Sequence, residues 1–215
     1  MKPEVVIWGA GGHALVIADI VCCTGDFRIA GFLDEVDPTP RAFADATVLG
    51  GTEQLPALAA RGVHFLPGIG DNTARLRVLA IAAQHDLAFA TEIHPSAIIA
   101  ASASIGAGTV VAAGAIVNPG AVVGRGVILN TACSVDHHDE IADGAHVGPG
   151  ARLAGRVRVG RGAWIGIGAV ILENISIGEN AIAGAGAVVV RDVPPDVVVV
   201  GNPARFLKNN PRATN

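Results

Sequence analysis

From Ile93 to Val193 the chain places an apolar residue at every sixth position without insertion, through Ile93, Ile99, Ile105 and Val111 to Ile177 and Val189, with Ala183 alone outside the Ile, Leu and Val series. The residue four places later is nearly always small. The residue three places later is Gly nine times, at Gly108, Gly114, Gly120, Gly126, Gly144, Gly150, Gly162, Gly168 and Gly186, and Asn at Asn174 and Asn180. A stacked-helix repeat has a period of about 20 to 50 residues, whereas a hexad is the period of a parallel β-helix whose coils each contain three hexads. The Gly and Asn positions mark corners with positive φ, and His138 occupies one of them, so its presence there is partly conformational.

Residues 18 apart then stack on one face. The outward column Val110, Ile128, His146, Trp164 and Ile182 is apolar, while Ser104, Glu140, Arg158 and Ser176 form a polar column interrupted only by Val122. A water-facing strand resembles the second column. The first predicts a buried subunit interface, and a three-sided prism packs about a threefold axis, so a homotrimer is expected.

One corner breaks the pattern with Asp136, His137, His138 and Asp139. A histidine beside carboxylates can take a proton from an amine or hydroxyl, with Asp136 or Asp139 orienting its ring. Asp139 is the one charged residue at the otherwise small position, so it either turns outward or makes a compensating polar contact. His137 and His146 lie one side of the triangle apart, roughly 16 Å at about 3.3 Å per residue, which is too far for one site within a subunit. Across a trimer interface, His137 of one chain can meet His146 and Asn130 of its neighbour. Gly155 stacks on His137 one coil later and is expected to leave room for a ligand and expose a backbone N–H. Zinc is the rival chemistry, but adjacent His137 and His138 point different ways and no third ligand sits on a suitable coil, so no metal is expected. Cys133 reads as a core residue and Trp164 as interface packing or a wall against an acyl carrier.

The first ninety residues follow a different period. Glu4 to Trp8 reads as a buried strand, Gly9, Gly11, Gly12, His13 and Ala14 as a glycine turn, and Leu15 to Val21 as a helix. Glycines in that turn let a phosphate approach the positive end of a helix. A second strand, 28–33, ends in Asp34 and Glu35, and a third, 63–69, ends in Gly70, Asp71 and Asn72 before a helix to about Gln84. Polar loops at strand C-termini are where open α/β sheets bind ligands. Only one half of a dinucleotide site is present, which favours a mononucleotide or a nucleotide-linked substrate over NAD. The predicted organisation is an α/β Rossmann-like βαβαβα half-domain over 1–91, an all-β parallel β-helix over 92–194, and a cap and tail over 195–215.

Composition sharpens this outline. Charged residues are 16% of the chain, Tyr is absent and the net charge is −4, with no basic stripe or RNA-binding aromatic motif, so a nucleic-acid partner is not expected. Mean hydropathy is +0.50, yet no run of about 18 apolar residues exists, so no membrane span is expected. The N-terminus reads as a strand and helix rather than a signal peptide. Cys22, Cys23 and Cys133 form no disulfide framework, which fits a reducing, cytoplasmic location.

The hexads, the GAGGHA turn with FLDE and GIGDN, the IHPSA entry, the VDHH and HVGPGA run and the closing GNPAR resemble the left-handed β-helix acyltransferases that modify nucleotide-linked amino sugars. They are most similar to the N-acetyltransferases of bacillosamine and perosamine biosynthesis, alongside sialic acid O-acetyltransferases. The resemblance implies left-handed coiling, where the general crossover rule gives the other hand. It also implies transfer from acetyl-CoA to a 4-amino-4,6-dideoxyhexose, with His137 as general base and His146 and Asn130 lining the site. Gly155 would contact the thioester carbonyl, and Ile167 the pantetheine arm, with Trp164, Gly166 and Ala185 beside the coenzyme. Gly9, Gly11, Gly12, His13, Asp34, Glu35, Asp71 and Asn72 would form the nucleotide-sugar pocket. The family usually has an acid after the base; here His138 stands there and the acid is displaced to Asp139. O-acetylation by the same machinery and a non-enzymatic nucleotide-sugar scaffold are the alternatives at this point.

Overall fold

The computed structural model describes residues 2–210, so 211–215 of the expected tail lie outside the described residues. β1 (Glu4–Trp8), α1 (Gly12–Thr24) and β2 (Arg28–Leu33) form where the apolar runs predict them. Next come β3 (Arg41–Phe43) and β4 (Ala46–Gly50), then α2 (Leu55–Ala60), β5 (His64–Pro67) and α3 (Asn72–Gln84). The sheet order is β3-β4-β2-β1-β5, parallel except for the β3–β4 hairpin. The hairpin is absent from the βαβαβα expectation because three and five residues of mixed polarity carry no clear alternation.

Two-residue strands then build a three-sided, left-handed coil. The first face contains Glu92–Ile93, Val110–Val111, Ile128–Leu129, His146–Val147, Trp164–Ile165 and Ile182–Ala183, and is extended by Val197–Val200 and Arg205–Asn209. The second face contains Ser134–Val135 and Arg152–Leu153, and the third Glu140–Ile141 and Arg158–Val159. The hexad aliphatics from Val111 onward point inward and are almost wholly buried, as are the small residues four places on, including Cys133. All nine corner glycines adopt positive φ, as do Asn174, Asn180 and His138 (φ 59°). His138 therefore occupies a backbone state that favours glycine, as the hexad register predicts.

The N-terminal sheet lies against the first face, and a buried arginine ties the two parts together. Arg75 of α3 has no exposed surface. Its Nε donates to the Gly126 carbonyl at 2.8 Å, and Nη2 donates to the Gly144 carbonyl at 2.7 Å. Nη1 reaches the carbonyls of Ile69 and Gly70 at 3.1 Å each. Glycine suits the corners beneath, where φ is positive (59° at Gly126 and 64° at Gly144) and a Cβ would crowd the side chains of Leu79 at 2.2 Å and Leu76 at 2.4 Å.

This docking corrects one expectation. Val110 belongs to the core formed by Ala14, Ile17, Ile20 and Val21 of α1, and Ile128 and His146 are also buried within the single chain. The apolar outward column is thus largely covered by the chain's own N-terminal sheet and helices. Trp164, 38% exposed, and half-buried Ile182 remain open on it.

Candidate active site

The sequence-predicted residues fall into two constellations, on opposite sides of the triangular section. The first lies at the join between the N-terminal sheet and the first face. A cavity of about 870 Å³ opens at the C-terminal ends of β1, β2 and β5, lined by Gly9, Gly11, Gly12, His13, Asp34, Glu35 and Asp71. The fingerprint glycines divide their work. Gly9 (φ 131°) lies so close to Gly68 that a Cβ would meet its carbonyl oxygen at 2.6 Å, whereas Cβ atoms on Gly11 and Gly12 would meet nothing within 4 Å. The open pair leads into α1, whose N-terminal N–H groups suit an anion.

The acids at this cavity already have local partners. Asp34 Oδ2 pairs with Arg41 at 2.6 Å, and its Oδ1 accepts from the Val36 N–H at 3.0 Å. Glu35 Oε1 accepts from the Thr52 N–H at 2.9 Å, and Asp71 caps α3 by accepting from Ala74. Asn72 is absent from the lining of this cavity but lines a smaller one beside it; its Nδ2 donates to the Gly162 and Ala163 carbonyls and its Oδ1 accepts from Arg75, so its amide also docks the two parts of the chain.

A second cavity of about 350 Å³ adjoins the first through Gly70, Asp71 and Thr73 and ends on His146, Trp164 and Asn180. His146 stacks on Trp164 with ring centroids 6.0 Å apart and lies 6.4 Å from the His13 ring. Asn130 Oδ1 accepts from the Thr131 N–H, which turns its Nδ2 toward His146 Nε2 at 3.0 Å. An amide N–H facing Nε2 makes that nitrogen an acceptor, so the ring is neutral with its proton on Nδ1. Burial and then the charge of Arg75 push the His146 pKa down to about 3, with His13 lowering it further and the Gly70 backbone opposing. Burial and Arg75 likewise push His13 down to about 4. Arg75 carries no sequence motif; its one legible signal is a charge on the face of α3 that also carries Val78, Leu79 and Ala82.

The second constellation is the corner between the second and third faces. Asp136 Oδ1 accepts from the His137 N–H at 2.6 Å and from Asn118 Nδ2 at 3.0 Å. Asn118 stacks one coil before Asp136, a pairing that the 18-residue column could have revealed. His137 and His138 approach through their Nδ1 atoms at 3.1 Å with rings nearly perpendicular. One ring must donate and the other accept; a proton on His137 Nδ1 would leave the lone pair on its Nε2. Asp139 turns inward and is fully buried. Its carboxylate accepts from the Asp136 and Val157 N–H groups at 2.7 and 2.8 Å, and burial pushes its pKa up to about 7 against those hydrogen bonds. Asp139 therefore makes the polar contact expected of it but makes it to backbone, rather than orienting the His137 ring.

Gly155 also departs from expectation. A Cβ there would meet His137 Cε1 at 2.4 Å and Nε2 at 2.5 Å, so the space freed by the glycine is filled by the histidine ring. Ile167 and Ala185 are exposed at the corner between the first and second faces. Gly166 is buried, and a Cβ on it would meet the Ala183 carbonyl oxygen at 2.7 Å, so coil stacking explains that glycine. Among the described residues, no group of three or more His, Cys, Asp or Glu is placed to hold a metal ion.

Residues 4–81 match the family described as the PglD N-terminal domain. The chain is similar to the crystal structure of a histidine-to-asparagine mutant of perosamine N-acetyltransferase from Caulobacter crescentus, in complex with CoA and GDP-perosamine: 37% identity, TM-score 0.93, covering 97% of this chain and 99% of that one. It is also similar to the acetyltransferase domain of PglB from Neisseria gonorrhoeae in complex with acetyl coenzyme A: 35% identity, TM-score 0.90, covering 96% and 100%. WeeI from Acinetobacter baumannii shares the fold at 23% identity and TM-score 0.87, covering 95% and 100%. Curated protein sequences give no match. With this likeness over nearly its full length, the chain belongs to the left-handed β-helix sugar N-acetyltransferases represented by perosamine N-acetyltransferase and the PglB acetyltransferase domain.

Proposed function

We propose that the protein transfers the acetyl group of acetyl-CoA to the 4-amino group of a nucleotide diphosphate-linked 4-amino-4,6-dideoxyhexose. The observation that carries this reading is that the two cavities adjoin, with Gly70, Asp71 and Thr73 in the walls of both. The larger offers open glycines and a helix N-terminus for a diphosphate; the smaller leads a sugar toward His146 and Trp164. The likeness to an enzyme crystallised with CoA and GDP-perosamine supports the same substrate class.

In this reading the active site is completed by a neighbouring subunit of a homotrimer, because His137 and His146 occupy opposite sides of one coil. Trp164, Ile167, Val170 and Leu172 are exposed apolar residues that such an assembly would cover. The sugar amine attacks the thioester carbon, His137 accepts the proton that the nitrogen loses, and the C–S bond breaks to release CoA. The Gly155 N–H beside His137 is the proposed donor to the oxyanion. Neutral His146, held by Asn130 at Nε2 and by the Gly70 backbone on its other side, walls the sugar subsite and does not take up a proton.

The test is to incubate purified protein with acetyl-CoA and a panel of UDP-, GDP- and dTDP-linked 4-amino sugars, following thiol release and identifying the product by mass spectrometry. An N-acetylated sugar is expected; acetylation at a hydroxyl, or no turnover with any 4-amino sugar, would overturn the reading. His137→Asn is expected to lose most activity while retaining CoA affinity.

A further inference from the structure

Between Glu92 and Val189 the parallel ladder of the β-helix has one incomplete step, and it lies at the His137 corner. Elsewhere in the coil each pair of stacked two-residue strands joined from Glu92 to Val189 matches both residues. Between Ser134–Val135 and Arg152–Leu153 only Ser134 and Arg152 pair. The hydrogen bonds locate the loss. In neighbouring hexads the N–H after the inward aliphatic donates to the next coil, as Asn118 does to Val135, Asn130 to Val147, Ala142 to Val159 and Ala154 to Ile171. Asp136 holds that position in its hexad, and its N–H donates to Asp139 Oδ2 instead.

The second carboxylate oxygen answers a matching need one coil on. The Val157 N–H would ordinarily close its own corner, as Ala145 does to Ala142 and Ala163 does to Gly160, but it donates to Asp139 Oδ1. Thr109 accepts from Val127 in the same way 18 residues ahead, so a polar side chain at the small position can replace a backbone acceptor. Asp139 does so for two donors at once, in a fully buried position. The segment between its two partners holds His137, its N–H bound to Asp136 and its carbonyl accepting from Arg156 at 3.0 Å.

We propose that Asp139 is a positioning residue: its buried carboxylate bridges the Asp136 and Val157 N–H groups and holds the His137 corner out of the regular ladder, with the His137 ring against Gly155. The proposal rests on the reading of His137 as the base. An acid at this position does not act on the ring, and its influence on catalysis passes through the backbone.

Two variants test it. Asp139→Asn keeps the shape but turns an N–H₂ toward one of two N–H donors; Asp139→Cys removes both acceptors with a side chain that the coil already accommodates at Cys133. A misplacement of about 1 Å costs on the order of 100-fold in rate. Both variants are therefore expected to lose about 10-fold to 100-fold in kcat, with each KM and the CoA affinity within about threefold of wild type. In histidine-labelled protein, the His137 ring resonances should move while those of His13 and His146 stay. Wild-type kcat in either folded variant would overturn the proposal, as would loss of CoA binding in parallel with kcat, which marks a structural role alone. If His137→Asn is itself fully active, the base assignment fails; the displacement of the His137 resonances still reports on the brace.

Discussion

The Arg75 guanidinium lies 2.8 Å from the Gly126 carbonyl across the join between the α/β sheet and the β-helix, and the same side chain lowers the pKa of both His13 and His146. One residue thus ties the two parts of the chain together and adds to the burial that keeps the histidines between them neutral. The guanidinium is itself pushed down to about 10 by burial, with Asp71 opposing, and remains charged at neutral pH. Its cost of burial is offset by hydrogen bonds to several carbonyls, a geometry that Lys cannot reproduce with three donors on one atom.

Arg75→Met is expected to destabilise the protein by about 3 kcal/mol or more, because buried carbonyls lose their donor at about 1 to 3 kcal/mol each. Arg75→Lys should recover only part of this. Urea unfolding followed by tryptophan fluorescence checks both, since Trp8 reports on the sheet and Trp164 on the coil. Histidine titration of a folded Arg75→Met protein should show His13 and His146 at higher pKa than in the parent chain.

Asn130→Asp replaces the amide donor at His146 Nε2 with a carboxylate acceptor. The ring would then need a proton on Nε2, and with Nδ1 turned to the Gly70 backbone the protonated form is favoured. The His146 pKa should rise and the imidazolium should repel Arg75, with reduced activity at neutral pH. Ring nitrogen chemical shifts distinguish the two protonation states, and an unchanged spectrum would sink the tautomer assigned here.

Much of this was legible in the chain because the hexad is an exact spatial grid. The inward aliphatics, the left-handed conformation at His138 and the stacking of Gly155 on His137 all follow from counting by six and eighteen. The grid describes only the coil, however, so it could not reveal what lies against it. Val110 and Ile128 looked like a subunit interface because an outward apolar column reads the same whichever surface covers it. The role of Asn72 was hidden for a related reason: a polar residue at a strand's C-terminal end suits a ligand, and nothing local shows that its amide spans to Gly162. Asp139 was visible as an anomaly, but its backbone partners depend on a broken ladder that side-chain periodicity does not encode.

The shifted groups also set the pH dependence of folding. Below the ordinary histidine value of 6.5, the unfolded chain takes up protons that His13 and His146 refuse in the native state until about pH 4 and 3. Stability from these two therefore rises with pH across that window. Asp139 acts oppositely: the native state holds a proton up to about pH 7 that the unfolded carboxyl releases near 3.8, so its contribution falls as pH rises. Glu92, raised by burial, works in the same direction as Asp139. Two histidines against one strongly shifted carboxyl leave a net gain from about pH 4.5 to 6.5. His146→Gln should remove most of that rise, which urea midpoints across the window would show; a variant with the parental slope would contradict the neutral buried ring.

Gly155→Ala separates position from stability most directly. The glycine has no positive φ, so alanine brings no backbone strain, and the nearest atoms to the new methyl are His137 Cε1, Nε2 and Nδ1 at 2.4, 2.5 and 3.0 Å. All three belong to the end of a side chain that can rotate outward at small cost. The fold should therefore tolerate the change, with destabilisation of roughly 1 kcal/mol, while the His137 ring leaves its seat. If the reacting geometry requires that seat, kcat should fall on the order of 100-fold, as for an ångström-scale misplacement of a reacting group. Thermal melting and steady-state kinetics on one preparation decide the matter. Parental kcat would show that the ring acts from elsewhere, whereas a loss matched by a collapsed melting temperature would assign Gly155 to packing alone.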